Sequence, residues 1–241
     1  MSFDLPRNVI LPVDAIDVRL DPGPHPFALD HAEAIAENWR QEIAANPALF
    51  DGTVVLLSAL AWRDRHLVGR CHAVSYSTFM LWRKRRADSG AEHAYGHAML
   101  VAGDNALVAI RMGSHTVGAG SVYFAAGSFE PIDFRDGLVD VDFNMIREVR
   151  EETGLDLSDA RRGPHWHALS TTSGTVIFRR YHIEGTADEI ARRITAFVAA
   201  EADPEIEAPV IIRHATDLPH GLAPHMKPLV EWHFAVGNEH F

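Results

Sequence analysis

Nine consecutive residues, Arg147-Glu148-Val149-Arg150-Glu151-Glu152-Thr153-Gly154-Leu155, constrain this chain more than any other stretch. As a helix they place Glu148 three and four residues before Glu151 and Glu152, so three carboxylates crowd one face while Phe143, Ile146 and Val149 turn toward a core. Like charges at this spacing cost about 0.2–0.5 kcal/mol per pair. Acidic groups near a helix C-terminus oppose the macrodipole by a further ~0.3–1 kcal/mol each. Gly154 then stops the helix. Such a face calls for a positive partner, and a bound metal ion is the simplest one.

The remaining composition narrows what that ion can serve. With 241 residues, 47% hydrophobic and 23% charged, the chain has apolar material for one large domain or two small ones. A net charge of -11 excludes a general nucleic-acid surface, because Lys and Arg cluster only at Arg83-Lys84-Arg85-Arg86. An acidic protein that handles phosphates needs a cation as intermediary. The lone Cys71 has no disulfide partner, fits a reducing compartment and reads as a small buried hydrophobe. Met1-Ser2-Phe3-Asp4 lacks the features of a leader, and no apolar run approaches the roughly 18–20 residues of a membrane span. The expected location is the cytoplasm, with no membrane partner.

Along the chain, Asn8 to Leu20 reads as one strand or two short ones, followed by a helix capped by Asp30 with Glu33 in a capping box and stopped at Asn46-Pro47. Thr53–Trp62 and His66–Ser77 form an expected hairpin across Arg63-Asp64-Arg65. Thr78 to Arg86 is ambiguous, and the polar stretch Ala87–Glu92 marks a junction, giving an N-terminal α+β extension over 1–92 and a second domain over 93–241. In the second domain, Gly96–Ala102 and Ala106–Met112 pair across Gly103-Asp104-Asn105, and Val122–Ala125 is a short strand. A helix starting near Asp140 or Asp142 carries the acidic motif. Strands His165–Thr171 and Thr175–Ile183, helix Ala187–Glu201, strand Pro209–Arg213 and helix Leu222–Val236 complete a mixed sheet covered by helices.

Arg147 to Leu155 resembles the C-terminal half of the Nudix signature, Arg-Glu-apolar-any-Glu-Glu-any-Gly-apolar, at every specified position. The first half of the signature resembles Gly127-Ser-Phe-Glu-Pro-Ile-Asp133, with aspartate where the pattern has glutamate and Ala126-Gly127 where it has paired glycines. Thirteen residues separate Asp133 from Arg147, against about seven in the pattern, so Phe134 to Asn144 holds an extra loop of about six residues. The resemblance spans roughly Gly96 to Trp232 and implies an α/β class, a Nudix α/β/α sandwich with a mixed β-sheet. It implies Mg2+, with Mn2+ as substitute, held by Glu148, Glu151 and Glu152 with the backbone carbonyl of Ala126. Arg147 would orient the glutamates, and Glu148 or Glu151 is the catalytic candidate. Hard divalent ions take oxygen ligands and bridge phosphate oxygens, which suits this donor set.

Arg111 and Arg179 are candidate phosphate contacts by charge, and Glu130, in the Gly127–Pro131 turn, completes the substrate-binding set. The Gly-Ser-Phe-Glu-Pro turn, the long loop and Asn46-Pro47-Ala48-Leu49-Phe50-Asp51-Gly52 look most like the branch acting on UDP-glucose and UDP-galactose. The expected reaction is hydrolysis of the pyrophosphate of a small-molecule nucleoside diphosphate derivative, a UDP-sugar first, with ADP-ribose, dinucleoside polyphosphates and coenzyme A as alternatives. A sensor that binds a nucleotide sugar without cleaving it is the competing class, and a homodimer is compatible with either. Fifteen histidines, including His165-Trp166-His167, read as ordinary strand and loop residues. Trp62, Trp82 and Trp166 are better suited to packing than to stacking on a base.

Overall fold

The computed structural model describes residues 3–86, 90–116 and 118–237. In chain order, the first elements are β1 (Phe3–Asp4), β2 (Ile10–Val13), β3 (Ala15–Asp21), α1 (Pro26–Asp30), α2 (Ala32–Ala45), β4 (Thr53–Arg63), β5 (His66–Ser75) and α3 (Tyr76–Lys84). Then follow β6 (Ala94–Ala102), β7 (Leu107–Met112), β8 (Val122–Tyr123), β9 (Phe134–Arg135), β10 (Leu138–Val139) and α4 (Val141–Thr153). The chain ends with β11 (Arg161–Arg162), β12 (Trp166–Thr171), β13 (Gly174–Ile183), α5 (Ala187–Ala200), β14 (Ile206–Ile212) and α6 (Met226–Val236). The class is mixed α/β.

Two compact units result. The first comprises Met1–Tyr95, Ser128–Val141 and Ser170–Thr175, and the second Gly96–Gly127, Asp142–Leu169 and Val176–Phe241. Of the junction expected at 87–92, residues 87–89 lie outside the described residues.

The first unit is built on a mixed sheet ordered β1-β4-β5-β3-β10-β9. The β4–β5 hairpin turns through Asp64 and Arg65, both at positive φ (47° and 65°), while β3 runs parallel to β5. Phe27, Leu56, Val74, Phe79 and Trp82 form the core beneath α2 and α3. Helix α2 departs from the expected cap. Asp30 closes α1, and His31 occupies the N-cap without a side-chain cap bond, so the Asp30–Glu33 capping box does not form.

The segment expected to be an extra loop is ordered. Phe134–Arg135 and Leu138–Val139 pair as a hairpin across Asp136 (φ 50°) and Gly137 (φ 78°), and Leu138 pairs with Arg19 of β3. Two left-handed residues in a two-residue turn are what an Asp-Gly hairpin requires. Just before it, Glu130 and Asp133 form a capping box around the 3-10 turn Pro131–Asp133, and Asp133 is fully buried. Asp133 therefore holds this turn.

The second unit carries a sheet ordered β14-β7-β6-β13-β12, with β8 added on β7 and β11 on β13. Met99, Leu100, Leu107, Ile110, Phe124, Phe178 and Tyr181 fill its core. Helix α4 docks on β6 at Gly96, where a Cβ would stand 2.7 Å from Asn144 Oδ1 and 3.2 Å from Met145 Cγ. Met145 and Val149 are its fully buried apolar residues, whereas Phe143 and Ile146, expected in the core, are only half-buried. None of the described helices is long and apolar enough to cross a membrane.

Candidate active site

At the N-terminal end of α4, Asp142 is a hub. It accepts from Tyr181 Oη (2.8 Å), Trp166 Nε1 (3.0 Å), Arg179 Nη1 (2.6 Å) and Arg162 Nη1 (3.4 Å). Arg179 also lies 4.6 Å over the Trp166 ring and donates to Gly163 O. Burial and the neighbouring Asp142 carboxylate push the Tyr181 hydroxyl above its ordinary range. These contacts pin the start of α4 to three strands, β11, β12 and β13.

The other end of the helix is organised differently. Glu148 and Glu152 point inward, 9% and 8% exposed, while the Glu151 side chain is 59% exposed. Gly127 makes room for Glu148, since a Cβ there would lie 2.0 Å from Glu148 Oε1. The Ala126 N–H donates to Glu152 Oε2 at 2.9 Å. Arg147 bridges Glu148 (2.7 Å) and Glu151 (2.8 Å), one positive charge serving two carboxylates. Burial above all, and then the charge of Glu148, with smaller pushes from Glu205 and Glu151, raises the Glu152 carboxyl well above its usual range despite the Ala126 N–H.

These glutamates open onto a cleft of about 180 Å³ lined by Glu148, Glu151, Glu152, Phe197, Glu201, Asp203, Pro204 and Glu205. Six of those eight residues are acidic, and none is basic. Sequence reasoning supplied the three from α4 and missed the three from the α5–β14 segment. Their only sequence signal is an acidic run, Glu201-Ala-Asp-Pro-Glu205, after an amphipathic helix.

Among the described residues no three His, Cys, Asp or Glu groups are already converged on one point as a metal cage. The donor set nevertheless fits a hard divalent ion. All its charged donors are carboxylate oxygens, the cleft is small, and the glycine cradle at Gly127 holds Glu148 where a larger residue would displace it.

The other candidates lie elsewhere. Arg111 donates to Gly120 O (3.1 Å) and His220 O (3.2 Å). Arg179 serves the Asp142 hub, and Glu130 caps its turn in the first unit. None of the three lines the acidic cleft. Trp62 donates to Pro12 O, Trp82 to Ala91 O and Trp166 to Asp142, so each indole has a partner within the chain.

No protein-family model matches the chain, and no curated protein matches it either. Three of the solved structures to which the chain is similar carry MutT or Nudix names. A MutT protein from Methanosarcina mazei Go1 is 14% identical, with a TM-score of 0.42 over 61% of this chain and 96% of its own. A MutT Nudix hydrolase from Burkholderia pseudomallei is 18% identical, with a TM-score of 0.36 over 58% and 95%. The Nudix domain of Shewanella oneidensis NrtR, complexed with ADP ribose, is 9% identical, with a TM-score of 0.32 over 50% and 72%.

Proposed function

We propose that this chain is a Nudix-type, divalent-metal-dependent pyrophosphohydrolase acting on a nucleoside diphosphate derivative. The observation that carries the reading is the under-compensated acidic cleft built on Arg147–Leu155, with Glu148 and Glu152 buried among six carboxylates. Isolated buried carboxylates are costly, and a group of them sharing one cleft is stabilised by a cation.

Glu148, Glu151 and Glu152 would hold Mg2+ or Mn2+, and Glu205 and Asp203 line the same cleft. The ion would neutralise the charge of the pyrophosphate oxygens and lower the pKa of a bound water. Arg147 fixes the Glu148 and Glu151 carboxylates by direct ion pairs, so it acts through them. Glu148, pressed on the Gly127 backbone and beside the cleft, is the group positioned to take a proton from an attacking water.

Within this class, UDP-glucose and UDP-galactose are the first substrates to test, on the resemblance of Asn46–Gly52 and the 127–131 turn to that branch. ADP-ribose, a dinucleoside polyphosphate and coenzyme A complete the panel. Incubation of the full chain with each compound and Mg2+, followed by product analysis, tests the reading. Release of a nucleoside monophosphate that Glu152→Gln abolishes supports it. Tight binding without product points instead to a sensor, and Mg2+-independent turnover sinks the assignment.

A further inference from the structure

Among the described residues, Phe197 is the one aromatic side chain lining the acidic cleft, and the proposed chemistry does not use it. It continues the apolar stripe of α5, where Ile190 and Ile194 are fully buried, by almost one further turn. Its ring rests directly on the residue that ends α4. A Cβ on Gly154 would meet Phe197 Cδ2 at 2.3 Å and Cγ at 2.6 Å. Gly154 also has φ 70°, so glycine is required there for the helix stop and again for the ring.

Beyond Phe197, α5 ends at Ala200 and the chain passes through Glu201, Asp203 and Glu205 into β14. That segment is tethered at its far side as well. Gly113 N donates to Glu205 O at 2.8 Å, and Ile206 pairs with Met112 of β7. The three carboxylates therefore hang between the Phe197 ring on Gly154 at one side and, at the other, the Glu205 carbonyl on Gly113 together with Asp203 Oδ1, 3.7 Å from His115 Nε2. The first anchor rests on α4 itself, the helix that bears Glu148, Glu151 and Glu152.

We propose that Phe197 is a positioning residue, a latch that fixes segment 201–205 opposite the α4 glutamates and so sets the cation affinity of the cleft. The inference rests on the function proposed above. Removing the ring leaves the segment held only from its Gly113–His115 side, and the second set of carboxylates no longer meets the first at a fixed separation. Residues that orient metal-binding groups typically alter affinity by roughly 10–100-fold when removed.

The test is titration of the full-length chain with Mn2+ alone, reading free ion by electron paramagnetic resonance. Wild type, Phe197→Ala, Phe197→Tyr, Glu205→Gln and the double variant Phe197→Ala/Glu205→Gln are compared, with circular dichroism and thermal melts as controls on folding. Phe197→Ala is expected to weaken Mn2+ binding by roughly 10–100-fold, and Phe197→Tyr, which keeps the ring, to restore it. Glu205→Gln weakens binding in the wild-type background but adds little to Phe197→Ala, because the released segment already contributes less.

If Phe197→Ala does not fold, Phe197→Leu keeps an apolar side chain without the ring's reach and is expected to fall between Ala and wild type. Wild-type affinity in a folded Ala or Leu variant overturns the latch, as do effects of Phe197→Ala and Glu205→Gln that simply multiply. Mn2+ binding that depends on Glu152 but not on Phe197 removes the latch alone. Absence of Mn2+ binding by the wild type removes the proposed function with it.

Discussion

The two ends of α4 carry inward-facing carboxylates, part-buried at Asp142 and buried at Glu152, under opposite conditions. Asp142 accepts from two arginines, a tyrosine and a tryptophan, whereas Glu152 has one backbone N–H and the charges of Glu148, Glu205 and Glu151 around it. The first is satisfied by the chain itself and holds architecture together. The second accepts from the Ala126 N–H, and the proposed function gives the role of its counter-charge to a metal ion. Burial alone does not distinguish structural from functional acids; what distinguishes them is whether the chain provides the opposite charge and the donors.

The sharpest way to break this contrast is to neutralise each carboxylate in turn. Glu152→Gln removes one negative charge with little change of shape, and turnover is expected to fall on the order of 10²–10³-fold in an assay with Mg2+. Its melting temperature without metal should stay level or rise, because a buried like charge is gone. Asp142→Ala should do the reverse. It strands Arg179 and Tyr181 in a part-buried site, and a loss of about 3–5 kcal/mol is expected in denaturant titration. If both variants lose stability and activity together, the two ends are not different in kind.

Metal addition probes the same difference in the unmodified chain. A ligand that binds only the folded state stabilises it by about 2.7 kcal/mol at a hundredfold excess over its dissociation constant. For a chain of this size, that is a rise of roughly 5–10 °C in melting temperature. Wild type and Asp142→Asn should show the rise on Mg2+ addition, and Glu152→Gln should lose most of it. An equal shift in all three would mean that the cation binds away from the cleft.

How much of this was legible in the sequence follows the range of the interactions. The motif at 147–155 and the hairpin at Gly103-Asp104-Asn105 are local, and both stand where periodicity and turn chemistry place them. The Asp136-Gly137 hairpin was also written locally, but its strands are two residues each and too short to show alternation, so the stretch read as loop. Asp30 was misassigned as a cap because Pro26 begins a separate short helix that absorbs it. The Asp142 hub and the carboxylates at 201–205 depend on partners tens of residues away. Neither leaves a mark in the local pattern that distinguishes it from a solvated acid.

Acid titration gives the smallest effect and extends the contrast to buried bases. His97 and His225 lie 5.1 Å apart in the second unit, and burial first, with the second imidazole adding to it for His97, holds His97 well below its ordinary value; burial lowers His225 to about 4. In the first unit, burial and then Arg86 and Arg83 hold His93 down to about 3. All three are neutral in the fold, whereas the unfolded chain takes up their protons near pH 6.5. Their contribution is therefore complete above that pH and is lost as the pH falls through 6.5 toward the folded values, by at most about 1.4 kcal/mol per pH unit for buried His93 and His97 and by less for part-buried His225. Glu152 works in the opposite direction without metal, because its raised carboxyl binds a proton more readily folded than unfolded. Melting temperatures should consequently drop between pH 6.5 and 4.5 in the wild type, and more steeply in Glu152→Gln, where that opposing carboxyl is gone. A flat profile in both proteins would show that the histidines are hydrated in solution and that the low-dielectric environment assigned to them is wrong.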